Sequence, residues 1–539
     1  METQQADTIV AADAVVAPGD VLPDHAVAIR DGRILALGRL DEMHALRGPK
    51  TDVQRLGGLL VPGFFDSHNH LLMTGMAMLQ PSLAECRSIA EILDVVRSAA
   101  GTGAPGEWIV TSAAWHESAL AEQRMPTAEE LDTVSLGRPV FMRRGGHNVV
   151  LNTRALEVLE VERTSGEEPG TTVVRGAGDR PTGHVVGTAY VARLAARLPA
   201  VPELRKRQAL AATGEAYARA GITSVIEPGL QPGDIELIRR LGNEGALPLR
   251  VRMMWRVAQS NRDIGEAVRA VRYGIGPQPY REDWTSLFGL KVGVDGGVET
   301  GCYRDPYEHP DDPEHPHGKA LIGGEELREL CEAAAPTGWH VGVHCVGDAA
   351  IDEVLTAFEA AHRTHSIADR RWTLIHMMYP RPDHWSRVRA LGLTVTAQQP
   401  LHYALAAGFQ HYLGAERAHD IEPLRQYLTE VSLPVGGGSD SPVAPFSPLL
   451  GIQSSVTRST RSAGVVGPEW AITVAEALRM YTSSSAWCAF EEDHVGTLSA
   501  GRAADLTCLS HNVVRDPDAL PDTEVTWTMA GGRVTYAGS

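Results

Sequence analysis

The 539-residue chain reads as an α/β protein in which a parallel core is flanked by two strand-rich ends. Three observations carry this. Short apolar runs alternate with helical stretches through the middle of the chain, as in parallel α/β units. Residues 8–60 and the last ~45 residues share a different texture of short strands and glycine turns. Several apolar runs end in histidine or aspartate, and in parallel barrels the chemistry sits at the C-terminal strand ends.

At the N-terminus, Ala26–Arg30 and Arg33–Gly38 flank Asp31-Gly32, a hairpin turn. At the C-terminus, Ala504–Leu509, Val525–Met529 and Arg533–Tyr536 surround a Gly531-Gly532 turn. The two ends are expected to pair into one small β domain, residues 1–60 plus 491–539. Between them, residues 61–490 form the core. Its strands are expected at Leu60–Phe65, Ile222–Ile226, Leu287–Val294, His340–His344, Trp372–His376, Leu393–Ala397 and Pro434–Asp440, with helices at Glu325–Ala335, Ala349–Ala361 and Val474–Tyr481. Residues ~75–200 break the rhythm. Gly101–Gly106 and Gly166–Gly183 are loop-rich, so this stretch reads as an insertion.

Composition is globular, with 43% hydrophobic and 22% charged residues. The net charge of −18 comes with no basic stripe, which excludes nucleic acid as a partner. No apolar run approaches the ~18–20 residues of a membrane span, so no membrane is expected. Six scattered cysteines without a Cys-x-x-Cys pair suggest reduced thiols. The polar, acidic start Met1–Asp7 is no signal peptide. Together these point to the cytoplasm.

His68 and His70 stand two residues apart at the end of a buried run, so their side chains leave the strand on one face. That makes them a pair of imidazole ligands for a borderline metal such as zinc. Taken alone, two such histidines equally well cap a strand. His344, His376 and Asp440 also end apolar runs, and five such residues together favour a metal site. Lys291 lies within the apolar run Phe288–Val294, where a charged amine is costly. It is either ion-paired with Asp295 or Asp440, a neutral amine that reacts with carbon dioxide to a metal-bridging carbamate, or a Schiff-base nucleophile.

The motifs Val61-Pro62-Gly63-Phe64-Phe65-Asp66-Ser67-His68-Asn69-His70, Gly146-His147-Asn148, His344-Cys345-Val346-Gly347-Asp348, Gln399-Pro400-Leu401-His402, Gly438-Ser439-Asp440-Ser441-Pro442 and Gly496–Leu506 carry a family resemblance over nearly the whole chain. The chain resembles the amidohydrolase superfamily, within it the amidohydrolase 3 branch of N-substituted formamide deformylases and YtcJ-like proteins. The resemblance implies a (β/α)8 TIM-type metallohydrolase barrel, with the chain's ends forming a β-sandwich. It implies two zinc ions. His68, His70 and Asp440 would hold the more buried one, His344 and His376 the other, with carboxylated Lys291 as the bridge. A metal-bound hydroxide would attack the carbonyl of an N-formyl or N-acyl amine, and Asp440 would carry the proton to the leaving amine. Around this centre, His147 and His402 are candidate catalytic donors. Trp115, Asp295, Met377, Tyr379, Tyr403 and Phe446 are candidate substrate contacts. A small-molecule substrate and a homodimer are expected.

Three other functions compete. A one-metal heterocycle deaminase of this fold would want a glutamate two residues after His344, where Val346 stands, and would leave Lys291 unexplained. A non-catalytic regulatory relative would show a lost ligand, and none is lost. A Schiff-base lyase would leave the histidines without a role.

Overall fold

The computed structural model describes residues 5–102, 106–112, 115, 117, 120–144, 148–161, 172–186, 188–258, 261–310 and 314–538. They form two compact units, Met1–Leu71 with Gly214–Ser539, and Leu72–Thr213.

The first unit is organised on eight parallel strands. They are β1 (Phe64–Asp66), β2 (Ile222–Leu230), β3 (Arg250–Arg256), β4 (Thr285–Gly293), β5 (His340–Cys345), β6 (Thr373–His376), β7 (Thr394–Ala397) and β8 (Gly436–Gly437). Spatial order equals chain order, and every neighbour pairs in parallel. The ring is nearly closed. The Ser67 N–H donates to the Gly437 carbonyl at 3.0 Å, just past the ends of β1 and β8. These strands are buried on both faces because helices cover the outside, which is why they read as continuous apolar runs instead of alternating ones. The helix Asp348–Thr364 shows how that cover is made. Ile351, Val354, Leu355 and Phe358 recur at helical spacing and are buried, each contributing about 1.5–3 kcal/mol.

Two further sheets use the chain's ends. A six-stranded sheet runs Arg533–Ala537, Val525–Ala530, Leu506–Leu509, Leu59–Pro62, Ala14–Ala17, Asp20–Pro23, with Cys508 opposite Leu60. A four-stranded sheet contains Ala6–Ala11, His25–Arg30, Arg33–Arg39 and Arg47–Arg55. Val10, Val27 and Ile29 from the four-stranded sheet share one apolar cluster with Leu60, Leu506 and Trp527 from the six-stranded sheet.

The apolar run around residues 60–65 is therefore two strands and not one. Leu59–Pro62 belongs to the six-stranded sheet, and β1 to the barrel. The break falls at Gly63, where any Cβ would lie 2.2 Å from Thr223 Oγ1. Only glycine lets the chain cross so close to β2.

A buried ion pair fastens the barrel to the C-terminal strands. Arg250 at the start of β3 donates to Asp505 through Nε at 2.9 Å and Nη2 at 3.3 Å. Asp505 also accepts from the Gly531 N–H at 2.7 Å.

The second unit has its own five-stranded sheet, in the order Thr172–Arg175, Pro181–Val186, Asn148–Leu151, Val140–Arg144, Ile109–Val110. Asn152 sits inside it with no exposed surface. Its side chain accepts from the Val140 and Ala155 amides and donates to Ser135 Oγ and the Arg138 carbonyl. Among the described residues, no helix is long and apolar enough to cross a membrane.

Candidate metal centre

The expected ligands come from four strand ends of the barrel, with His68 and His70 sharing the end of β1, plus Lys291 within β4. Asp440 is the focus. Its Oδ1 stands 3.2 Å from His68 Nε2 and 3.3 Å from His70 Nε2. Ligand atoms of His68, His376 and Asp440 all lie within 4.8 Å of one another, and all three residues are buried. His376 also packs its ring edge-on against His68 (4.9 Å between centroids) and His344 (4.6 Å). The two ligands at the ends of β6 and β8 have left-handed backbones, His376 at φ 70° and Asp440 at φ 58°. Such φ values are uncommon for non-glycine residues and cluster at functional sites.

The electrostatics follow from burial and pairing. Burial, and then the charge of Lys291, pushes His68 down to about 3. Burial also opposes charge on His70, but hydrogen bonds with Asp440 and Glu227 lift it to about 9. Asp440 is held well below the usual carboxylate range, because its bonds to His68 and His70 outweigh burial. Burial brings the Lys291 amine down to about 7. Among the described residues no carboxylate pairs with Lys291, so neither Asp295 nor Asp440 forms the ion pair that is one reading of a buried lysine.

Asp295 is engaged elsewhere. It accepts the amides of Cys302, Val346 and Gly347, each at 3.0 Å, and stands 3.7 Å from His344 Nε2. It thus ties the segment after β4 to the loop carrying the end of β5. His344 Nε2 lies 3.1 Å from the Gly296 carbonyl.

Three residues outside the expected set shape the centre. Glu227, near the end of β2, stands 3.5 Å from His70 Nδ1. Asp66 is buried at the end of β1 and clasps both ligand loops. It accepts the His68 amide at 3.1 Å, the Ser439 amide at 3.0 Å and the Ser439 hydroxyl at 2.6 Å. The fit is tight, since a Cβ on Gly438 would come within 2.6 Å of the His68 nitrogen. Arg256, the last residue of β3, is the third.

The other expected contacts are more dispersed. Met377 follows β6 and is fully buried, its N–H donating to the Cys345 carbonyl. Tyr379 lies in an apolar cluster with Val298, Tyr303 and Leu401. Phe446 packs on Tyr217, and Tyr217 donates to Asn69 in the ligand loop at 3.4 Å. Tyr403 lies under the Arg461 guanidinium. His402 is buried, with Nδ1 3.5 Å from Ser454 Oγ and Nε2 without a partner. Trp115 belongs to the second unit, where its indole N–H donates to the Arg143 carbonyl at 2.6 Å. His147 lies outside the described residues. A cleft of about 1160 Å³ in the second unit, lined by Met76, Trp108, Arg138 and Arg143 among others, contains none of the expected ligands.

The family model for the amidohydrolase family matches residues 56–536. The chain belongs to the amidohydrolase family. That membership makes it a hydrolase of the class acting on carbon–nitrogen bonds, as the sequence motifs imply. Protein LONG AFTER FAR-RED 3 of Arabidopsis thaliana is 28% identical to this amidohydrolase over 95% of the chain and 88% of its own length. The N-substituted formamide deformylase of Arthrobacter pascens is also 28% identical, over 95% of this chain and 94% of its own. Among solved structures, an uncharacterized metal-dependent hydrolase from Pyrococcus furiosus superposes with a TM-score of 0.73 at 24% identity, covering 94% of this chain and 100% of that one. This last likeness shows a shared fold.

Proposed function

We propose that this amidohydrolase is a zinc-dependent hydrolase that cleaves an N-formyl or N-acyl amine to a carboxylic acid and an amine. The observation that carries the reading is the convergence of His68, His376 and Asp440 donor atoms within 4.8 Å at the barrel's C-terminal end. The donor set fits a borderline metal, since imidazole and carboxylate suit zinc. His376 Nδ1 fits it too, as a buried donor atom with no hydrogen-bond partner. In this reading His68, His70 and Asp440 would hold one ion and His344 and His376 a second, and Lys291, as a carbamate, would be a ligand to both. The depressed Lys291 amine supports that role, because only a neutral amine takes up carbon dioxide.

When bound, zinc supplies Lewis-acid polarisation of the carbonyl and brings the pKa of its water to about 7. The chain supplies the rest. Asp440 takes the proton of the attacking water and delivers it to the leaving nitrogen. Glu227 fixes the His70 ring through Nδ1, as a carboxylate behind a ligating histidine does. Asp66 holds the His68 and Asp440 loops at one spacing. His147 and His402 keep their expected roles as donors to the substrate oxygen. The expected apolar nitrogen substituent draws its support from the deformylase relative. The two terminal sheets are read as a β-sandwich formed by residues 1–60 and 491–539, and residues 75–200 as the barrel's insertion.

The test is to incubate the full chain with a panel of N-formyl and N-acyl amines and to follow release of acid and amine. Activity that is abolished by a chelator and restored by zinc supports the reading. Cleavage that survives complete metal removal, or deamination of a heterocycle without amide cleavage, would overturn it.

A further inference from the structure

Strand β3 carries three arginines at its ends and middle, and two of them are paired. Arg250 is bonded to Asp505, and Arg252 Nε stands 3.3 Å from Glu491 Oε1. The third, Arg256, has no hydrogen bond or ion pair from its guanidinium to any described residue, and its Nε is buried without a partner. It ends β3 at the ligand-bearing rim, directly in register with Lys291 on β4.

The two side chains share a face. A Cβ on Gly289 would lie 2.9 Å from Met254 Cε, and a Cβ on Gly342 would lie 2.7 Å from the same atom. Met254, Gly289 and Gly342 therefore look into the barrel together. Arg256 is two residues on from Met254, Lys291 is two on from Gly289, and Lys291 pairs in register with Gly342. With a two-residue period, Arg256 and Lys291 project into the barrel side by side.

A half-buried guanidinium whose buried Nε has no partner is unfavourable without an anion. Its planar fork matches a carboxylate through two parallel hydrogen bonds. We infer that Arg256 is the seat for a carboxylate on the substrate, so that the amide cleaved here carries an acid group beside its scissile bond. The cleavage rests on the hydrolase reading, and the binding does not. Two carboxylate-type anions compete for the seat, the substrate's acid group and a carbamate on Lys291. The second is disfavoured because that reading commits both carbamate oxygens to the two ions. The acid group refines the expected apolar substituent, which would carry it.

Calorimetry on the full chain loaded with zinc separates the two. The probes are N-acetylphenylalanine and N-acetylphenethylamine, which differ only by the carboxylate. We expect the acid to bind about tenfold more tightly or better, the return of a desolvated charge pair. Arg256→Met should close that gap, and Arg256→Lys, which keeps a point charge without the fork, should retain part of it. Equal binding of the two probes by the wild type would overturn the inference. So would a gap that persists in Arg256→Met. A loss of zinc from Arg256→Met, measured by elemental analysis, would also overturn it by assigning the guanidinium to the Lys291 carbamate. A gap that behaves as expected while neither probe is hydrolysed supports the Arg256 seat and counts against the hydrolase reading alone.

Discussion

Replacing Asp440 with asparagine is expected to lower kcat by about 10²- to 10⁴-fold, the range lost when a positioned proton carrier is removed. Asparagine keeps the shape of the side chain and can still accept from His68 and His70, which stand 3.2 and 3.3 Å from Oδ1. What it loses is the negative charge and the ability to take and return a proton. The loop should hold its path, because the Asp440 amide donates to the His68 carbonyl at 2.7 Å whatever the side chain. The measurement is steady-state kinetics on protein saturated with zinc, so that weaker metal binding is not mistaken for slower chemistry. A fall in kcat with little change in KM identifies a group that acts in the transition state. A mutant with wild-type kcat would remove Asp440 from the proton path.

Replacing Asp505 with alanine is expected to destabilise the fold by about 1–3 kcal/mol, the cost of leaving buried donors of Arg250 and Gly531 without their acceptor. Arg250 and Asp505 are both buried, with side chains 1% and 3% exposed. The loss leaves Arg250 with the half-exposed Asp283 carboxylate at 3.2 Å, the Asp283 carbonyl and the Trp284 ring, and it frees the Gly531 amide. Denaturant unfolding should show the midpoint falling with the slope unchanged. Replacing both partners, Arg250→Met with Asp505→Leu, should recover part of the loss, because the buried pair is then removed whole and Asp283 keeps His494 at 2.9 Å. If Asp505→Ala alone unfolds at the wild-type midpoint, the pair is not what fastens β3 to the C-terminal strands.

The candidate ligands stood out in the sequence because metal chemistry restricts residue type so sharply. Histidine or aspartate at the end of an apolar run is conspicuous, and a lysine inside one even more so. The parallel core was legible for a related reason, since strands covered on both faces show as unbroken aliphatic runs. What surrounds the ligands was hidden by distance along the chain. Asp66 lies inside the same motif as His68, but its partner Ser439 is 373 residues away and becomes a neighbour only when the barrel closes. Glu227 and Arg256 each end or nearly end a strand, and nothing in their local sequence separates a functional charge from a solvated one. The division at Gly63 was invisible because both halves of the run are apolar, although they serve different sheets. The second unit misled for the opposite reason. Its strands are short and set among glycines, so a five-stranded sheet reads as loop.

The most direct measurement is the zinc content of the full chain, purified without chelators, for wild type and Lys291→Ala. About two zinc ions per chain are expected in the wild type and one or fewer in the mutant, since without the bridge only the ligands around Asp440 would hold an ion. Equal zinc content in the two proteins would contradict the bridging carbamate. A wild type with no bound metal, even after exposure to zinc and bicarbonate, would contradict the metal centre itself.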